Sequence, residues 1–123
     1  QHFSTVDHMN YAQLGWGAEE LGGLLEAGIA HVTALSLAQN ELHDEGVRVL
    51  ASSMTSLPAL RSLDLRNNRV GASGAAALAV AVKGSALQRL DLDRNRIGAA
   101  GAEALAAALQ PNHTLQELSL HDN

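Results

Sequence analysis

Asn recurs at positions 40, 68, 95 and 123, in steps of 28, 27 and 28 residues, and each time it closes nearly the same line. "VTALSLAQNEL" begins at Val32, "LRSLDLRNNRV" at Leu60, "LQRLDLDRNRI" at Leu87 and "LQELSLHDN" at Leu115. After the first three Asn an apolar residue follows two positions on (Leu42, Val70, Ile97), and then a Gly (Gly46, Gly74, Gly101). Further apolar residues stand four and eight positions beyond each Gly: Leu50 and Met54, Leu78 and Val82, Leu105 and Leu109. A period of this length specifies an array of small stacked units rather than a globule built around one centre.

The spacing inside one unit predicts its structure. Leu63 and Leu65 alternate at period two, so they share one face of a short strand. Leu78 and Val82, four apart, mark one face of a helix whose Ala filling has high helix propensity. Gly74 falls near the start of that helix, where a side chain would hinder the approach of another backbone, and Val82-Lys83-Gly84-Ser85 reads as its end. In the second unit "HDEG" at His43 aligns with "GASG" and "GAAG", the turn before the helix, and Asp44 is expected to cap that helix.

One strand–helix unit cannot bury its own apolar face, so neighbours must stack. Strands stack about 4.8 Å apart, whereas helices need about 8–10 Å. The stack therefore curves, with a parallel sheet inside and helices outside. Phe3, Tyr11 and Trp16 are the only aromatics, so the core is built from Leu, Val and Ala. Ala75, Ala76, Ala77, Ala79 and Ala81 suit tight helix spacing on the outer rim.

The pattern L-x-x-L-x-L-x-x-N-x-L, from Val32 to Asn123, resembles leucine-rich repeats. The "G-A-x-A-L-A-x-A-L" helix is similar to that of the long subclass found in ribonuclease inhibitor, the Ran GTPase-activating proteins and NOD-like receptors. The resemblance implies an α/β solenoid, a right-handed β-α superhelix with the parallel sheet on its concave side. It also implies that Asn40, Asn68, Asn95 and Asn123 form a ladder of side-chain hydrogen bonds to loop backbone.

The expected division is a single domain or fragment: an irregular or capping unit over 1–31, full repeats over 32–59, 60–86 and 87–114, and a partial repeat over 115–123. In the first unit Val6, Met9 and Tyr11 take the Leu positions, Leu14 stands where Asn belongs, and Trp16 takes the next apolar site. An anchor at Phe3 would instead place His8 and Tyr11 in core slots, and the first register is preferred. The last strand is followed by no helix within the chain, so a continuing protein or a covering partner is expected at that end.

Residues between the inner Leu positions face solvent on the concave sheet and line up in columns. One reads Asn10, Ser36, Asp64, Asp91, Ser119; the next Ala12, Ala38, Arg66, Asp93, His121; the third Gln13, Gln39, Asn67, Arg94, Asp122. Asp64 and Asp91 oppose one another, with Arg66 and Arg89 expected to offset them. From the usual use of such repeats, the expected partner-binding residues are Asp64, Arg66, Asn67, Arg89, Asp91, Asp93 and Arg94, followed by Ser119, His121 and Asp122.

Charge divides unevenly along the chain. Residues 1–58 hold seven acids against Arg48, whereas residues 59–114 hold seven bases against four acids. Arg69 and Arg96 occupy the same slot after Asn, with Arg66 and Arg94 nearby. This arrangement is either a ridge for an acidic partner or a solvated edge paired to Asp64, Asp91 and Asp93.

No chemistry-bearing motif competes with this reading. No His pair has H-x-x-x-H spacing, "GWGAEELGG" lacks the frame of a phosphate loop, and no nucleophile elbow surrounds a Ser. No cofactor or metal is expected, and the chain is not expected to be an enzyme. The net charge of −5 argues against general nucleic-acid binding, and no apolar run is long enough to span a membrane. The chain has no Cys and no basic-then-apolar leader, which leads to the expectation of an intracellular, cytoplasmic location. The expected function is a scaffold or adaptor that binds another polypeptide. The alternatives are a regulator of an enzyme (a GTPase activator or an inhibitor) and a structural subunit of a large assembly.

Overall fold

The computed structural model describes residues 8–110 and 114–123. Phe3 and Val6, which carry expectations above, lie outside the described residues. Strands and helices alternate: β1 (His8–Asn10), α1 (Ala18–Glu26), β2 (Ala34–Ser36), α2 (His43–Ser52), β3 (Ser62–Asp64), α3 (Ala72–Lys83), β4 (Arg89–Asp91), α4 (Gly98–Leu109) and β5 (Glu117–Ser119). A short 3-10 turn, Met54–Ser56, follows α2.

All five strands pair in parallel and in sequence order. The register aligns Met9, Leu35, Leu63, Leu90 and Leu118, and likewise Asn10, Ser36, Asp64, Asp91 and Ser119. Period-two alternation then separates the two sets onto opposite faces. Leu35, Leu63 and Leu90 point toward the helices and are buried, with Leu37, Leu65 and Leu92 beneath them. From the helices come Leu21, Leu50, Leu78, Val82 and Leu105, so one continuous apolar layer runs between sheet and helices. Ala75 and Ala79 of α3 are also fully buried, which brings adjacent helices close. No helix among the described residues is long and apolar enough to cross a membrane.

The four Asn satisfy the turns that leave each strand. Asn40 Nδ2 donates to Leu37 O and Tyr11 O, Asn68 Nδ2 to Leu65 O and Leu37 O, Asn95 Nδ2 to Leu92 O and Leu65 O, and Asn123 Nδ2 to Leu120 O and Leu92 O, all at 2.8–3.2 Å. Each donor set thus spans its own unit and the one before it. The Oδ1 atoms accept backbone N–H from the preceding unit: Leu14 and Trp16 on Asn40, Leu42 on Asn68, Asn68 and Val70 on Asn95, Ile97 on Asn123. A primary amide fits here because it offers two donors and a two-lone-pair acceptor at one point. Among the described residues no buried side-chain nitrogen or oxygen lacks a partner.

The first unit keeps the strand register without an Asn of its own. Leu14 is half exposed, and its N–H is taken by Asn40. Trp16 stacks on Tyr11, with ring centroids 5.1 Å apart.

Asp44 does not cap its own helix. α2 already begins at His43, and its cap position is Leu42, which makes no side-chain hydrogen bond. The Asp44 carboxylate leaves its unit instead and accepts the Gly71 N–H of the next one at 2.6 Å.

Candidate protein-interaction surface

The solvent face of the sheet carries five short rows of side chains, one per strand. Each strand ends in a turn whose second residue is left-handed: Gln13, Gln39, Asn67, Arg94 and Asp122 all have φ between 57° and 62°. That turn points the following Asn inward and leaves the left-handed side chain at the rim of the sheet. Helices pack wider than strands, so this face is the concave one. A trough of about 670 Å³ lies on it, lined among others by Asn10, Ser36, Ala38, Gln39, Arg66 and Asp93. Ala12 and Ala38 keep its floor low at the β1–β2 end, and Gln13 Nε2 donates to Gln39 Oε1 along its rim.

The charged residues at the other end form three groups and one further pair, Arg89 with Glu117. Arg66 grips Asp64 in a fork, Nε to Oδ1 at 3.0 Å and Nη2 to Oδ2 at 2.9 Å, and its Nε stands 3.6 Å from Asp91 Oδ2. The opposed carboxylates of β3 and β4 are therefore bridged by one guanidinium, whose pKa is pushed further up, chiefly by its hydrogen bond to Asp64. Arg89 does not take part, contrary to expectation. It points toward β5 and donates to Glu117 at 2.8 Å, because the strand register sets Arg89 opposite Glu117. Glu117 was missed in the sequence; its signal is the same alternation, which places the residue before each inner Leu on the solvent face with Asp64 and Asp91.

The second group joins Asp93, Ser119 and His121. Asp93 Oδ1 accepts Ser119 Oγ–H at 2.5 Å and the His121 backbone N–H at 2.7 Å, and His121 Nδ1 stands 3.0 Å from Ser119 Oγ. The hydrogen bond from Ser119 holds the Asp93 carboxyl below the usual range. These residue types also occur in nucleophilic sites, but here the hydroxyl donates to the carboxylate rather than to the imidazole. His121 Nδ1 lies within hydrogen-bond reach of the same hydroxyl oxygen, so the three side chains form one polar knot. The third group is Arg94 with Asp122, 3.8 Å apart and both largely exposed. Asn67 is exposed between the groups and lines the trough. Among the described residues no three His, Asp or Glu side chains gather as a metal would require.

Burial pushes the Asp91 carboxyl up, and the neighbouring Asp93 and Asp64 charges add to it, against the bond it accepts from the Asp93 N–H. A carboxyl raised by folding makes the native state less stable once it ionises. Asp91→Asn is therefore expected to stabilise the fold at neutral pH by about 0.5 kcal/mol, the scale of a like-charge cross-strand pair. The gain should shrink as pH falls through the raised pKa and vanish below the ordinary Asp range. Thermal melts of both proteins across pH 3–7 check this, and a loss of stability at neutral pH would show that the Arg66 bridge outweighs the repulsion.

The repeat register, the Asn turns and the parallel sheet are matched in sequence by the leucine-rich repeat family, whose profile covers residues 29–51, 56–79 and 86–106. The chain belongs to the leucine-rich repeat family. Solved structures agree on the fold. This leucine-rich repeat chain superposes on "Leiomodin-1 Actin-Binding Site 2 (ABS2)" with a TM-score of 0.85 at 22% identity, over 94% of this chain and 70% of that one. It is also similar to the tropomodulin C-terminal domain of Caenorhabditis elegans, with a TM-score of 0.79 at 21% identity, over 94% of this chain and 74% of that one. No curated protein matches the repeat sequence significantly.

Proposed function

We propose that this leucine-rich repeat chain is a protein-interaction scaffold or adaptor whose concave face and loop edge bind another polypeptide. The observation that carries the reading is the sheet's solvent face: rows of polar and charged side chains, several already fixed by hydrogen bonds to one another, around an open trough. Side chains ordered before binding lose little freedom on binding, which favours recognition of an extended partner surface. The residues assigned to it are Asp64, Arg66, Asn67, Arg89, Asp91, Asp93 and Arg94, with Ser119, His121 and Asp122 at the far strand. Actin is the first partner to try, because the leiomodin-1 structure that shares this fold is named as an actin-binding site.

A photo-crosslinking residue placed at Ala38 in the trough, with a second protein carrying it at the exposed Val80 of α3, tests the reading. Each is irradiated with purified actin and, separately, with cell extract. Discrete protein adducts from Ala38 and none from Val80 are expected. Equal labelling from Val80, or no adduct from Ala38 in either mixture, would remove the concave face as the binding surface. Regulation of an enzyme would use the same face and would appear as a change in turnover of the captured partner.

A further inference from the structure

We propose that Arg69, Arg94 and Arg96, on the loop edge beside the concave face, dock an acidic polypeptide segment. This rests on the protein-binding reading and adds to it the chemistry of the partner. The seven arginines of the chain divide sharply. Arg48 donates to Ser73, Arg61 to Pro58 O and Leu60 O, Arg66 to Asp64 and Arg89 to Glu117. These four are used within the fold. Arg69, Arg94 and Arg96 are exposed, and their guanidinium groups make no hydrogen bond among the described residues. Glu41 stands 3.6 Å from Arg69 and Asp122 3.8 Å from Arg94, close enough for attraction and too far to occupy the donors.

Position strengthens the case. All three flank the inward Asn of two adjacent units, and the Arg96 N–H donates to Val70 O at 2.7 Å, so the two loops touch. Arg69 and Arg94 have φ of 60° and 58°, a left-handed backbone that favours Gly or Asn. The same left-handed backbone recurs at Gln13, Gln39, Asn67 and Asp122, so the repeat turn itself sets Arg94 at the rim of the sheet with its side chain exposed. Three forked donors carried on two adjacent loops suit a run of carboxylates, each of which an Arg binds through two parallel hydrogen bonds.

A long polyanion fits poorly. The patch is bounded by Glu41 on one side and Asp122 on the other, and residues 1–58 beyond Glu41 are strongly acidic. Nor does this edge offer a large ring for base stacking: Trp16 is stacked on Tyr11, and the imidazole of His43 stands against Glu41. A short acidic stretch of protein matches both the sign and the size of the site.

The test is fluorescence anisotropy with a labelled hexaglutamate peptide at low and at physiological salt. The intact chain should bind, with affinity falling as salt rises. Arg69→Glu/Arg94→Glu/Arg96→Glu should weaken binding by about tenfold or more, the combined scale of three exposed ion pairs, while Arg48→Ala, at the guanidinium bonded to Ser73, changes it less than about twofold. No binding by the intact chain at low salt, or equal binding by the triple variant, overturns the proposal. So does a single-stranded oligonucleotide of equal charge that binds the same arginines more tightly than the peptide. Circular dichroism of the triple variant confirms that it is folded. Failure here leaves the Ala38 crosslinks untouched, and failure of those leaves this titration readable.

Discussion

Asn95→Ala is expected to destabilise the chain by about 3–4 kcal/mol and Asn68→Ala by about 2 kcal/mol, although Asn68 is the more deeply buried of the two. The ranking follows from which partners each removal strands. The inner Leu carbonyls these two Asn use are shared: Leu65 O accepts from both Asn68 and Asn95, Leu37 O from both Asn40 and Asn68, and Leu92 O from both Asn95 and Asn123. Losing one Asn leaves those carbonyls with a donor. The amide hydrogens have no such second partner. Asn95 Oδ1 takes the N–H of both Asn68 and Val70, whereas Asn68 Oδ1 takes that of Leu42 alone. Each orphaned buried N–H costs about 1–3 kcal/mol, so two strand more than one. Thermal melts should place Asn95→Ala more than about 10 °C below the intact protein and Asn68→Ala roughly half as far. Equal losses would mean that the donor side of the amide, not its acceptor side, holds the turns.

The repeat itself was legible because the period is long and the constraint is multiplied. Each inner Leu is required by its own unit and by the two it stacks against, so Leu63, Leu90 and Leu118 fall in one row as the alternation demands. The preferred register of the first unit met the same constraint, with Met9 set against Leu35. What lay between the Leu positions was less legible. Columns follow from the register, but ion pairing within them depends on side-chain reach and on which neighbour is nearer. Arg66 and Arg89 share a charge and an exposed face, yet one turns back to Asp64 and the other across to Glu117. Nor does spacing reveal that Asp44 would leave its own helix. That depended on Gly71 and Gly74 of the next unit presenting bare backbone where the carboxylate arrives, a relation between residues 27 and 30 positions apart.

That relation carries the second large effect. Replacing a helical Gly by Ala ordinarily stabilises a helix by about 0.5–1 kcal/mol. At Gly74, in the first turn of α3, the sign should reverse. A methyl group there would lie 2.5 Å from Asp44 Oδ1, 3.1 Å from Asp44 Cα and 3.1 Å from Val70 Cγ1. The carboxylate cannot simply swing away, because it holds the Gly71 N–H at 2.6 Å, and the Cα belongs to the backbone of α2. Gly74→Ala is therefore expected to cost about 2 kcal/mol, within the usual range for overpacking. Asp44→Ala alone should cost about 1 kcal/mol through the lost backbone hydrogen bond. In the double variant the clash with the carboxylate is gone while the crowding against the α2 backbone remains, so the combined loss should fall short of the sum by about 1 kcal/mol. Urea unfolding of the four proteins measures that coupling directly. Strict additivity would mean the methyl group is resisted by backbone alone. A gain in stability from Gly74→Ala would mean the two helices separate easily, and that the close approach of α2 and α3 is not what the recurring Gly protects.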